Sequence, residues 1–216
     1  MTTLMLALTF STGVVDAVGF LGLDRVFVGN MTGNVVILGM ALTGTADLPV
    51  LGPALALVGF MAGAAVAGRL TRPGWTPRTT VALLLQAAMI TATAVLVLVV
   101  GDALTHGAMV AITTTLGAAM GIQAAAARHV GVKDVTTVVV TSTITGLSAD
   151  LRWGRAHARD AGRRLSAVGL MLVGATAGAA LLPWHPGAGL GLSALITLVV
   201  AVVGHRNQRA AERAAA

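Results

Sequence analysis

An acidic residue buried in an apolar stretch is the group in this chain best placed to do chemistry. Asp16 is the only carboxylate well inside a hydrophobic segment, and it shares a helical face with Thr9, Thr12 and Gly19. Exposing a lone carboxylate to lipid is costly, so Asp16 is expected to face the protein interior, either paired or protonated. Two roles fit. It could relay a proton or cation as the protein changes state, or it could bond the backbone of a broken element at 29–34 and pin it. Asn30, Thr32 and Asn34, with Gly29 and Gly33 among them, could offer amides and hydroxyls to a polar solute. The same residue types also cap helices and close turns where a chain reverses. Thr141, Thr143 and Thr145 form a second polar group. They could line a solute path or bond back to their own helix carbonyls. Gln123 is a further candidate partner for a solute. No nucleophile–base pair, P-loop or dinucleotide fingerprint occurs, so neither enzymatic activity nor ATP-driven transport is expected. The five histidines lack metal-ligand spacing and cysteine is absent, so no metal or cofactor is expected.

The elements that must hold these residues are membrane helices. The 216 residues are 56% hydrophobic and 10% charged, whereas soluble domains carry about 25% charged residues. The net charge of +6 comes from bases gathered in short gaps between apolar runs, and aromatic residues make up only 3%. That pattern points to lipid headgroups and away from nucleic acid. The start, Met1-Thr2-Thr3-Leu4, has no basic region and reads as the beginning of a first membrane helix.

Eight apolar segments approach the ~20 residues a span needs: 3–23, 26–43, 50–68, 80–100, 108–127, 135–149, 165–184 and 187–204. Eight crossings would set Arg69, Arg72 and Arg78 on the face opposite Arg152, Arg155, Arg159, Arg163 and Arg164, although both clusters belong in the cytoplasm. If the second and sixth segments enter and leave on one side, 13 of the 14 basic residues become cytoplasmic and only Arg25 lies outside. Making the first and fifth segments the non-crossing ones gives 12 inside and 2 outside, so charge barely separates the two versions. Polarity does. Seven of the fourteen residues 135–148 are Ser or Thr, and the second segment carries Asn30, Thr32 and Asn34. Irregular backbone at membrane depth is tolerated where it is buried in protein or lines a wet cavity. The expected fold is an all-α integral membrane protein with six transmembrane helices and two re-entrant or broken segments.

The chain also reads as two copies, 1–101 and 102–216, within a single membrane domain. Val58–Ala65 matches Val173–Ala180 at six of eight positions, Met31-Thr32-Gly33 matches Ile144-Thr145-Gly146, and Gly13 aligns with Gly121. With three crossings each, the copies must be inverted repeats, the plan of many transporters whose broken segments meet near the midplane. Gly59/Gly63 and Gly174/Gly178 have GxxxG spacing, which lets helices approach closely. They are expected to pack the two copies together, with a homo-oligomer seam as the alternative.

Three motifs resemble the YoaK family of bacterial inner-membrane proteins, a domain of unknown function. They are Val15-Asp16-Ala17-Val18-Gly19-Phe20, Phe27-Val28-Gly29-Asn30-Met31-Thr32-Gly33-Asn34 and Met120-Gly121-Ile122-Gln123. The likeness covers essentially the whole chain. It departs at Ala124, where the family commonly has Asn, and at Leu147, where a polar residue is usual. The resemblance implies a multi-pass protein of the bacterial cytoplasmic (inner) membrane and brings no substrate or reaction with it.

Two functions are expected from these readings. The leading one is a small transporter or channel for a small polar or ionic solute, with a midplane site and both termini in the cytoplasm. The other is a non-transporting membrane scaffold or assembly factor, in which the polar residues only hold a turn. Membrane lipids are partners in either case, and the basic run from Arg152 to Arg164 is placed to touch anionic ones.

Overall fold

The computed structural model describes residues 1–44, 47–131, 144–145 and 158–215. Among the described residues, the α-helices with defined bounds are α1 Thr2–Gly22, α2 Met31–Ala41, α3 Leu51–Leu70, α4 Pro77–Val100, α5 His106–Val130, α6 Ala158–Leu181 and α7 Pro186–Ala215. All but α2 contain a stretch long and apolar enough to cross a membrane, and there is no strand among the described residues. The helix ends follow local chemistry. Thr76 caps α4 by accepting from the Thr79 N–H, with Pro77 in the first turn, and α4 ends at Gly101 with φ 54°. Thr105 caps α5, which stops at Gly131 in the left-handed region.

The helix surfaces are inverted relative to a water-soluble protein. Large apolar side chains such as Met61, Val81, Leu96, Val99, Leu172 and Leu198 are exposed, while Thr12, Gln86, Gln123, Ser193 and Thr197 are buried. In water the exposed band would be an aggregation surface, whereas in hydrocarbon it is the matched solvent.

Glycine decides which helices touch. In the α1–α6 pair, Gly13 lies on the backbone of Met171 and Ala175, Gly174 on Phe10 and Gly178 on Val14. In the α3–α5 pair, Gly121 lies on Phe60 and Ala64, Gly63 on Ala118, Gly59 on Thr114 and Gly117 on Ala56. Both pairs run parallel, and the four GxxxG glycines all sit at these seams, which join residues of 1–101 to residues of 102–216. The contacts place Gly63 and Gly174 in matching positions, against Ala118 and Phe10, each three residues before the partner glycine. The sequence match instead sets Gly59 beside Gly174, so the two registers differ by one helical turn.

Inside the bundle, two apolar clusters are separated by a polar layer. One contains Val15, Val18, Ile90, Leu116 and Leu190, and the other Met5, Leu8, Leu83, Ala126 and Val200. Between them Gln86 Nε2 donates to Gln123 Oε1 at 2.7 Å, and Gln123 Nε2 donates to Thr12 Oγ1 at 2.8 Å. The Ser11 and Ser193 hydroxyls meet at 2.6 Å. These bonds tie α4 to α5, α5 to α1, and α1 to α7 where hydrophobic contact alone would leave register weakly specified.

The ends of the bundle differ in charge. Thr71, Trp75, His129 and Gly204 gather at one end, where Thr71 Oγ1 and His129 Nδ1 are 2.6 Å apart. Every described arginine except Arg25 belongs to that end. The other end holds Asp24, Arg25, Asp47 and His106, with His106 Nδ1 4.0 Å from Asp24.

The seams give a direct expectation. Replacing Gly121 or Gly174 by leucine forces the paired backbones apart and should cost at least 1–3 kcal/mol, about the penalty of overpacking a core. G191A, where an added methyl meets nothing within 4 Å, should be neutral or slightly stabilising. Thermal unfolding in detergent checks both. Equal melting points for G174L and G191A would contradict the seam assignment.

Candidate functional site

After α1 the chain does not remain at the bundle surface. Residues 23–30 fold back along α1, with the Val26 N–H bonded to the Gly19 carbonyl. Gly19 faces the Val26 carbonyl so closely that a side chain there would collide with it. Phe27 stacks on Phe20 with ring centroids 4.7 Å apart. The segment then reaches Asp16, whose Oδ1 accepts from the Val28 N–H at 2.9 Å and from the Gly29 N–H at 2.7 Å. The Asn30 N–H also interacts with the carboxyl group. Successive backbone N–H groups that converge on one anion form a nest, and here the anion belongs to the protein itself. Asp16 lies six residues before the end of α1, so the segment descends about 9 Å along that helix.

Asn30 turns the chain outward again. Its side chain accepts from the Gly33 N–H at 3.3 Å and caps α2. The positive end of α2 therefore lies beside the Asp16 carboxylate, a favourable pairing for an anion. With 11 residues, α2 rises about 16 Å and cannot cross a ~30 Å core. It is a re-entrant element, made of an extended segment going in and a half-length helix coming out. Asn34 locks the two limbs together. Its Oδ1 accepts from the Phe27 N–H at 2.9 Å, its Nδ2 donates to the Phe27 carbonyl, and the residue is fully buried.

The candidate residues separate by environment. Asp16 and Asn34 are buried and bonded to the re-entrant backbone, whereas Asn30 and Thr32 are exposed at the start of α2. Gln123 sits one helical layer away, joined to Thr12 and Gln86. Gly29 bridges the two groups, lying against Thr12, Met120 and Asp16. A continuous polar line thus runs from the start of α2 through Asp16 and Thr12 to Gln123. Thr145 is exposed, while Thr141 and Thr143 lie outside the described residues. No group of acidic, histidine or cysteine side chains suited to a metal occurs among the described residues. Gln86 was not among the sequence candidates, although a glutamine within the apolar 24 residues of α4 is a legible signal. Asp24, at the mouth of the re-entrant segment beside Gly52 and His106, was also missed as a partner.

Six long apolar helices around a buried polar layer, with one half-length helix among them, define a multi-pass transmembrane protein. Residues 4–203 match the family described as protein of unknown function (DUF1275), and this chain belongs to that family. It is similar to the UPF0700 transmembrane protein YoaK of Bacillus subtilis, 31% identical over 184 residues, which cover 80% of each chain. No solved structure matches.

Asn34 supplies a test of the lock. N34A leaves the part-buried Phe27 N–H and C=O unpaired and should destabilise the protein by about 2–4 kcal/mol, toward the lower part of the roughly 1–3 kcal/mol per orphaned group. T32A, at an exposed position, should leave the melting temperature in detergent within error of wild type. An N34A protein as stable as T32A would show that the limbs are held some other way.

Proposed function

We propose that this protein is a small transporter for a small polar or ionic solute, with the re-entrant element 23–41 as its moving part. The observation that carries the reading is the Asp16 carboxylate held by the Val28 and Gly29 N–H groups at the inner tip of that element. A protonated carboxyl group is a poorer acceptor for two N–H donors than a carboxylate. Protonation of Asp16 thus weakens the clamp on the element, while deprotonation restores it. The pin and the relay become the same device. Asn30, Thr32 and the N–H groups at the start of α2 face the solute from one side. Gln123 extends the polar line inward, and the second Ser/Thr-rich segment, of which Thr145 is described, is assigned the other side of the path in this reading.

The helix pairing supports two inverted halves. Exchanging 1–101 with 102–216 turns the α1–α6 pair into the α5–α3 pair and the α1–α7 contact into the α5–α4 contact. The positive-inside bias puts the arginine-rich end, with both termini, in the cytoplasm of a bacterial inner membrane. No catalysis is assigned to the chain. The alternative, a non-transporting scaffold or assembly factor, draws support from Asn34, whose amide is occupied by Phe27.

A flux assay separates the two. Proteoliposomes containing a pH-reporting dye are challenged in turn with small amines, organic acids, sugars and monovalent cations. The transporter reading expects proton movement dependent on one solute class, and its loss in D16N, where an amide oxygen still accepts both N–H groups, more weakly than a carboxylate, so that the protein folds with a melting temperature lowered less than in D16L. D16L should instead lose stability, about 1–3 kcal/mol for each abandoned N–H. No solute-dependent flux from wild type, or unchanged coupled flux from D16N, favours the scaffold.

A further inference from the structure

Helices α3 and α4 are consecutive, yet they scarcely touch. Each leans on α5 separately, α3 through its glycines and α4 through Gln86. The splay leaves a cleft of about 410 Å³ that opens toward the lipid, within the ~300–1,000 Å³ range of small-ligand sites. Val66 and Leu70 form one wall, Val81 and Leu85 the other, and Ile122 of α5 the floor. Its lining is apolar except at one point, where Arg78 in the first turn of α4 stands at the mouth.

Arg78 is exposed, as are Arg69 and Arg72 at the same end of the bundle. Among the described residues no carboxylate lies within ion-pair distance of any of the three. Asp16, Asp24 and Asp47 lie toward the other end or within the bundle, and Glu212 accepts from Gln208. A hydrocarbon-lined slot with a guanidinium that has no carboxylate partner among the described residues is complementary to a molecule with an apolar tail and an anionic head. An arginine also matches phosphate geometry through its planar array of donors.

We propose that this cleft is a specific site for an anionic phospholipid from the leaflet at the arginine-rich end. One acyl chain lies over Ile122 between α3 and α4, and the phosphate is held by Arg78. The site is separate from the Asp16 element, so it stands whether or not the protein transports.

Native mass spectrometry of the full-length protein, delipidated in detergent, tests the site. Phosphatidylglycerol, phosphatidylcholine of the same chain length, and glycerol 3-phosphate are each titrated. Wild type should retain one phosphatidylglycerol in preference to phosphatidylcholine and should not retain glycerol 3-phosphate, because the tail is needed. R78Q should weaken phosphatidylglycerol binding about fivefold, the effect of one basic residue near an anionic surface. V81W, at an exposed wall position, should block the slot without lowering the lipid-free melting temperature. Equal retention of the two lipids, or wild-type affinity in R78Q or V81W, would overturn the proposal. So would a dimer that V81W dissociates, since the cleft would then belong to a second copy of the chain.

Discussion

A carboxylate inside a membrane bundle must be met by donors, and in this protein it is met by the backbone of the chain that follows its own helix. The Asp16–Val28–Gly29 contact is the constraint on which the rest of the site depends. Residues 23–30 form no regular structure, so at membrane depth their N–H groups would be orphans, each worth several kcal/mol if left in hydrocarbon. Asp16 supplies the acceptor and the segment supplies the donors. Neither is tolerable there without the other. From that contact follow the position of Asn30, the outward direction of α2 and the placement of its positive end beside the Asp16 carboxylate.

The scaffold around the contact solves a different problem. Between membrane helices there is little hydrophobic gain, so association rests on close backbone approach and on hydrogen bonds. The glycine seams supply the first in two parallel pairs, α1 with α6 and α3 with α5. The layer of Ser11, Thr12, Gln86, Gln123 and Ser193 supplies the second and fixes the level at which the pairs meet. Thr12 belongs to this layer and also touches Gly29. A change in the clamp at Asp16 is therefore adjacent to the one layer that links α1, α4, α5 and α7.

Much of this was legible from charge and polarity. Six spans follow from where the arginines lie, because translocating a basic loop is unfavourable, and the polarity of Asn30, Thr32 and Asn34 picks the second segment as one that does not cross. The pinning role of Asp16 was one of two readings available from its isolation in an apolar helix. Other features depended on distant partners. Nothing local tells Asn34 to grip Phe27 rather than a solute, and the pairing of Gln86 with Gln123 spans 37 residues. The sequence match of the two GxxxG segments and the register of their backbone contacts differ by one turn, because Ala/Gly helices match nearly as well after a four-residue shift. The cleft beside Arg78 had no sequence signature, since it arises from two neighbouring helices failing to pack on each other.

The most direct test is cysteine accessibility in intact cells, in a chain with no natural cysteine. Single cysteines at Thr43, Arg72, Trp184 and Arg209 are treated with a membrane-impermeant thiol reagent from outside. If 23–41 is held within the bundle by Asp16 and returns to the side it entered from, positions 43 and 184 label while 72 and 209 stay protected until the membrane is opened. If 43 is protected together with 72, the second segment crosses the bilayer and the account of a clamped re-entrant element is wrong.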